Sequence, residues 1–174
     1  MINSLPSDST SNDLLTTQSL VYIPCGFDYS SPLIEDESSE YGACTFILNG
    51  LSICFRVAKI TPIKIGQFVT VWKRIGKSPI QPFDLSDSID FFVVSVKQEN
   101  FLGQFVFPKS VLCEKGIVSK NGKGGKRAIR VYPPWDNAIS PQAKKTQKWQ
   151  LEYFLDIPQN QPIDSLQVRM LYDL

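Results

Sequence analysis

The sequence predicts an α/β fold: one domain built on a sheet of about five or six strands, with helices packed against it. Three observations carry this. At 174 residues, 43% hydrophobic and 20% charged, the chain has the size and composition of a single-core globular domain. Short runs rich in β-branched and aromatic residues recur through its first three quarters, and two helix starts stand at its two ends.

Residues 1–12, rich in Ser, Asp and Asn, offer little to bury and are expected to be a flexible leader, with the folded domain spanning residues 13–174. Asn12 and Asp13 then precede apolar Leu14, Leu15, Val21 and Tyr22 at helical offsets, and Pro24 with Gly26 ends that helix. A loop is expected through Asp36.

Asn49-Gly50 is the strongest local signal, because it supplies the positive φ values of a two-residue hairpin turn between the apolar runs 43–48 and 51–57. Pairing Leu48 with Leu51 places Phe46 opposite Ile53 and Cys44 opposite Phe55 on one apolar surface. Thr45, Cys54, Ser52 and Arg56 share the other surface, so Cys44 and Cys54 point apart and form no disulfide. Continued further, the same ladder would set Glu40 opposite Lys59.

Further strands are predicted over residues 66–72, 91–96 and 101–107, the last two forming a second hairpin across Gln98-Glu99-Asn100. A helical turn follows at 109–112. Lys120 to Arg127 is a glycine-punctuated basic loop, either an arm contacting phosphates or a solvated hairpin tip. It leads into a strand, Ala128 to Tyr132, that Pro133-Pro134 terminates. Ser140-Pro141 opens a helix expected to reach about Asp156, and a last short element is expected after Pro162.

Charge is sorted along the chain although its net value is +1. Residues 1–55 hold seven acidic and no basic residues, whereas 56–77 hold six basic and no acidic ones. Such sorting creates a field that attracts polyanions. The absence of histidine excludes Ser-His and Cys-His nucleophile pairs and the common mixed zinc sites. The four cysteines lie in apolar stretches without C-x-x-C spacing and are expected to be reduced and buried. No apolar run is long enough to span a bilayer and the first residues do not resemble a secretory signal, so a cytoplasmic protein without membrane insertion is expected.

The phosphate-neutralising residues expected from this pattern are Lys59, Lys64, Lys73, Arg74, Lys126, Arg127 and Arg130. Gln67 and Gln147 are candidate donors to phosphate or base edges, and Trp135 is the candidate for base stacking.

The segments from Phe55 to Arg74, Gly103 to Lys109, Gly125 to Asp136 and Ala143 to Gln150 resemble the MepB family. That resemblance implies a small soluble bacterial protein, in some bacteria encoded beside a multidrug efflux pump and its regulator. The implied fold is similar to the PD-(D/E)XK nuclease class, with a central mixed β-sheet flanked by helices. Its active site requires a carboxylate two positions before a strand lysine, and here Val57 stands two before Lys59. The resemblance therefore implies a degenerate site, and the basic face read from the charge pattern adds the expectation of a nucleic-acid partner, DNA or RNA, bound without cleavage and without a cofactor. Two alternatives remain. One is a nuclease using Mg²⁺ or Mn²⁺ held by Glu40 and a further carboxylate such as Asp90, with Lys59 assisting. The other is a protein-interaction role, linked to efflux regulation, in which the acidic first segment of one molecule, or of a partner, covers the basic face.

Overall fold

The computed structural model describes residues 10–174; the first nine positions of the expected leader lie outside the described residues. Ser11 already caps α1 (Asn12–Thr17) by accepting a hydrogen bond from the Leu14 amide, and a wider π-helical turn, Gln18–Tyr22, continues it.

The central sheet is assembled from β1 (Leu33–Ile34), β2 (Cys44–Leu48), β3 (Leu51–Val57), β8 (Phe91–Gln98), β9 (Phe101–Pro108) and β11 (Phe154–Asp156), in the order β1-β2-β3-β8-β9-β11. It is mixed, because β3 and β8 run parallel while every other neighbouring pair is antiparallel. The expected architecture of a mixed sheet with helices on its flanks, in one domain, is the one observed.

The first hairpin has the register its turn dictates. Asn49 and Gly50 take φ values of 46° and 82°, and Cys44, Phe46 and Leu48 face Phe55, Ile53 and Leu51. Parity sorts its side chains between two cores. Cys44, Phe46, Leu48, Ile53 and Phe55 meet Leu14, Tyr22 and α4 (Ser165–Tyr172) on one face of the sheet. Cys54 and Arg56 point to the opposite face, where Phe92, Val94, Phe105 and Phe107 lie under α2 (Lys109–Glu114). Burial on both faces explains why β8 reads as an unbroken apolar run rather than an alternating one.

The cysteines are free, three of them buried and Cys113 half-buried. Burial pushes the Cys44 thiol up to about 12 and the Cys54 thiol up to about 11, so neither is a nucleophile at neutral pH.

A parallel β3–β8 pair needs a crossover, and residues 58–90 supply one that is not helical. It holds β4 (Lys59–Ile60), β5 (Gln67–Thr70), and the two-stranded ribbon of β6 (Trp72–Lys73) and β7 (Gln81–Pro82). The strand expected at 66–72 thus stays out of the central sheet. With β4 and β10 (Ala128–Val131) it makes a second sheet, ordered β10-β5-β4, which covers the second core through Val69, Ile129 and Val131.

The helix expected over residues 140–156 is shorter than its sequence suggested. α3 (Pro141–Gln150), capped by Ser140, gives way to a 3₁₀ turn at Leu151–Tyr153 and then to β11. Tertiary pairing overrides helical propensity here: Phe154 packs across the bare backbone of Gly103, where a Cβ would lie 2.3 Å from its ring, and against Phe105.

Candidate nucleic-acid interface

The acidic stretch before β2 folds back onto the basic stretch that follows β3. Glu35 reaches the fully buried guanidinium of Arg56 at 2.8 Å, and Glu37 reaches Arg74 Nε at 2.7 Å. Glu40, in the 3₁₀ turn Ser39–Tyr41, meets Lys59 Nζ at 2.7 Å, while Lys73 is paired with Asp87. The Glu40–Lys59 pair is real, but not as a rung of the hairpin ladder. Pairing between β2 and β3 ends at Cys44–Phe55, β4 belongs to the second sheet, and Lys59 lies over the Tyr41 ring at 4.5 Å. Of the expected phosphate ligands, Lys59, Lys73 and Arg74 are therefore matched by carboxylates of their own chain. The acidic segment expected to cover another molecule's basic face meets its own.

Three other expected contacts prove structural. Gln67 is 1% exposed and donates to the Lys97 carbonyl. Gln147 donates to the carbonyls of Pro133 and Asp136, fastening the loop after β10 to α3. Trp135 has one face stacked on Phe101, with ring centroids 5.3 Å apart, and Phe154 at its edge, so its ring is a packing element.

A different group of cations converges. Between the second sheet and α3 lies a cleft of about 420 Å³ with Lys64, Lys115, Lys126 and Arg130 on its walls and Phe68, Tyr132 and Trp149 among its lining. No lining residue is acidic, and none of the four cations forms a salt bridge among the described residues. The cleft is held open by specific contacts. The buried Gln150 side chain accepts from the Tyr132 amide at 2.8 Å and donates to the Arg130 carbonyl at 2.9 Å, tying α3 to β10. Arg130 is aimed by the Gly66 carbonyl and the Thr61 hydroxyl, and Lys115 rests over Trp149 at 5.6 Å.

The glycine-rich basic loop is neither a free arm nor a loose tip. Asp84 accepts from the Gly122 amide at 3.0 Å and the Ser119 hydroxyl at 2.7 Å, and the Lys126 amide donates to the Ile117 carbonyl. The donors from Gly122, Ser86 and Ser119 hold the Asp84 carboxyl well below the usual carboxylate range. Gly125 allows the loop to close on Pro82, where a Cβ would lie 2.6 Å from the proline ring. Lys126 is thereby delivered to the cleft; Arg127 is exposed but is not among the lining residues.

Lys64, Lys126 and Arg130 were legible as candidates, whereas Lys115 and Gln150 were not. Lys115 sits just past α2 in an unremarkable local sequence, and only the packing of Trp149 brings it to the other three.

The carboxylates expected for a hydrolytic site do not assemble. Asp90 exchanges hydrogen bonds with Ser52 at the start of β3, whereas Lys59 lies beyond its end, and Ser52 and Val57 are roughly 17 Å apart along the strand. Among the described residues no three of Cys, Asp and Glu are grouped so as to hold a metal ion. No helix among them is long and apolar enough to cross a membrane.

A MepB-like family profile matches residues 35–156. The crystal structure of MepB superposes with a TM-score of 0.73 at 32% identity, covering 87% of this chain and 99% of that one. A bacterial homing endonuclease, I-Ssp6803I, is matched at a TM-score of 0.47 and 17% identity over 84% of this chain and 93% of that one, a likeness too slight to bear on activity. No curated protein matches the chain. Matched over most of its length by the family profile, and over 87% of it by the MepB structure, the chain belongs to the MepB-like family.

Proposed function

We propose that this protein binds nucleic acid in the cleft between the second sheet and α3, without cleaving it. The observation that carries the reading is the convergence of Lys64, Lys115, Lys126 and Arg130 on one concave surface with no carboxylate in its lining. Four cations without ion-pair partners among the described residues are costly to gather and repel one another unless an anion joins them. The aromatic rings beside them suit a polyanion that also carries planar groups. Binding without cleavage is supported by the arrangement at the end of β3, where Lys59, the lysine the family resemblance would use for hydrolysis, is matched by a single carboxylate and stands apart from Asp90.

Fluorescence anisotropy with labelled DNA and RNA oligonucleotides across a salt series tests this. Four phosphate contacts predict log affinity falling against log salt with a slope of about −3.6 for duplex and about −2.8 for a single strand. Replacing Lys126 and Arg130 together by alanine should shallow the slope by about 2. A flat salt response, or unchanged binding in that variant, overturns the proposal.

A further inference from the structure

Lys64 is a wall shared by two grooves. On one side lies the cation cleft; on the other is a groove of about 280 Å³ lined by Ile60, Ile65 and Ile139, with Gln98, Asp136 and Asn137 beside them. The three isoleucines are 58%, 39% and 69% exposed, which leaves apolar surface in water at the rim of a charged site. None of the three belongs to either hydrophobic core.

The two grooves differ in what they accept. The first has four cations and no carboxylate, whereas the second has three exposed isoleucines and one carboxylate, the half-buried Asp136. A phosphate placed beside Asp136 would be repelled. A flat, uncharged ring would cover the isoleucines and could donate an amino hydrogen to the Asp136 carboxylate or to the side-chain carbonyls of Gln98 and Asn137. A strong anion site and an apolar, acceptor-bearing site separated by one lysine match the phosphate and base of one nucleotide unit.

We infer that the Ile60–Ile65–Ile139 groove is a base-binding subsite of the nucleic-acid cleft, an inference that rests on the function proposed above. Phosphates lie among Lys64, Lys115, Lys126 and Arg130, while one unpaired base leaves the strand at Lys64 and covers the three isoleucines.

The experiment compares a labelled oligodeoxyadenylate with an abasic oligomer of the same length, which keeps every phosphate and sugar but carries no bases. Binding to the full chain and to an Ile60→Ser/Ile139→Ser variant is measured, with a thermal melt to show that these exposed substitutions leave the fold intact. The full chain should bind the oligodeoxyadenylate about tenfold more tightly than the abasic oligomer. The variant should lose most of that difference while its abasic affinity stays within about twofold. Equal affinity for the two oligomers, or a variant that weakens both alike, overturns the base subsite and leaves the cation cleft standing. Absence of binding to either oligomer overturns both.

Discussion

Two charged regions of this molecule have opposite fates. Around the acidic segment before β2, the cations Arg56 of β3, Lys59 of β4 and Arg74 just past β6 are matched one for one by Glu35, Glu40 and Glu37, so the region is close to neutral and structural. In the cleft against α3, Lys64, Lys115, Lys126 and Arg130 meet no carboxylate in the lining. Both regions draw on the basic middle and late chain, and the difference lies in which acidic residues the fold returns to them. Glu35 to Glu40 directly precede β2, the hairpin partner of β3, so antiparallel pairing carries them back to the β3 end. Among the described residues, no acidic side chain is returned to the cleft lining. Charge sorting along a sequence therefore indicates where a field could exist, and topology decides where it survives.

The largest effect expected from this contrast is on stability, in the neutral region. Glu35→Ala leaves the buried Arg56 guanidinium, whose Nε already has no partner, without its counter-ion. It should cost about 3 kcal/mol in urea denaturation with little change in ligand affinity. The next largest is on binding: Lys126→Ala/Arg130→Ala should weaken oligonucleotide binding about 100-fold at low salt, with a loss of stability smaller than that of Glu35→Ala because only the Arg130 bonds to Gly66 and Thr61 are removed. If Glu35→Ala impaired binding as severely as that pair, the division between the regions would fail.

Asp84→Asn lies between the two classes, because it loosens the loop that presents Lys126. Faster hydrogen exchange at the Gly122 amide and an affinity loss of about threefold are expected. The pH dependence has a definite sign. A carboxyl whose folded pKa is depressed contributes stability fully above its ordinary value of about 4, and that contribution is lost as pH falls through the folded value. Acid should therefore loosen the wild-type loop towards the behaviour of Asp84→Asn, measured as exchange at Gly122 below about pH 4. The smallest effect is at the exposed Lys59–Glu40 pair. A double-mutant cycle there should return a coupling below about 1 kcal/mol, and Lys59→Ala should change affinity by less than about twofold.

Local chemistry was legible in the sequence and long-range return was not. The Asn49-Gly50 turn, the register behind it, the Cys44/Cys54 parity and the Ser140-Pro141 helix start each depend on a few adjacent residues, and each is present. The end of α3 was misjudged because Phe154 serves as a strand residue only by virtue of Gly103, some fifty positions earlier. Gln67 and Gln147 have the side chains of nucleic-acid donors, yet their amides are used on carbonyls that only the folded chain brings near. In the cleft, Lys64, Lys126 and Arg130 could be suspected from local basic runs. Lys115 could not, since its membership depends on α3 docking Trp149 beneath it.

The parallel junction of β3 and β8 also bears on the order in which the molecule forms. The β2–β3 and β8–β9 hairpins close through short turns and can form early, but joining them requires residues 58–90 to be gathered first, an entropic cost that slows assembly. The cleft draws Lys64 from that connecting stretch and Trp149 from near the end of the matched family region. A nascent or partly folded chain can thus own a finished hairpin core and still lack a binding surface, so acquisition of ligand affinity would report the last step of folding.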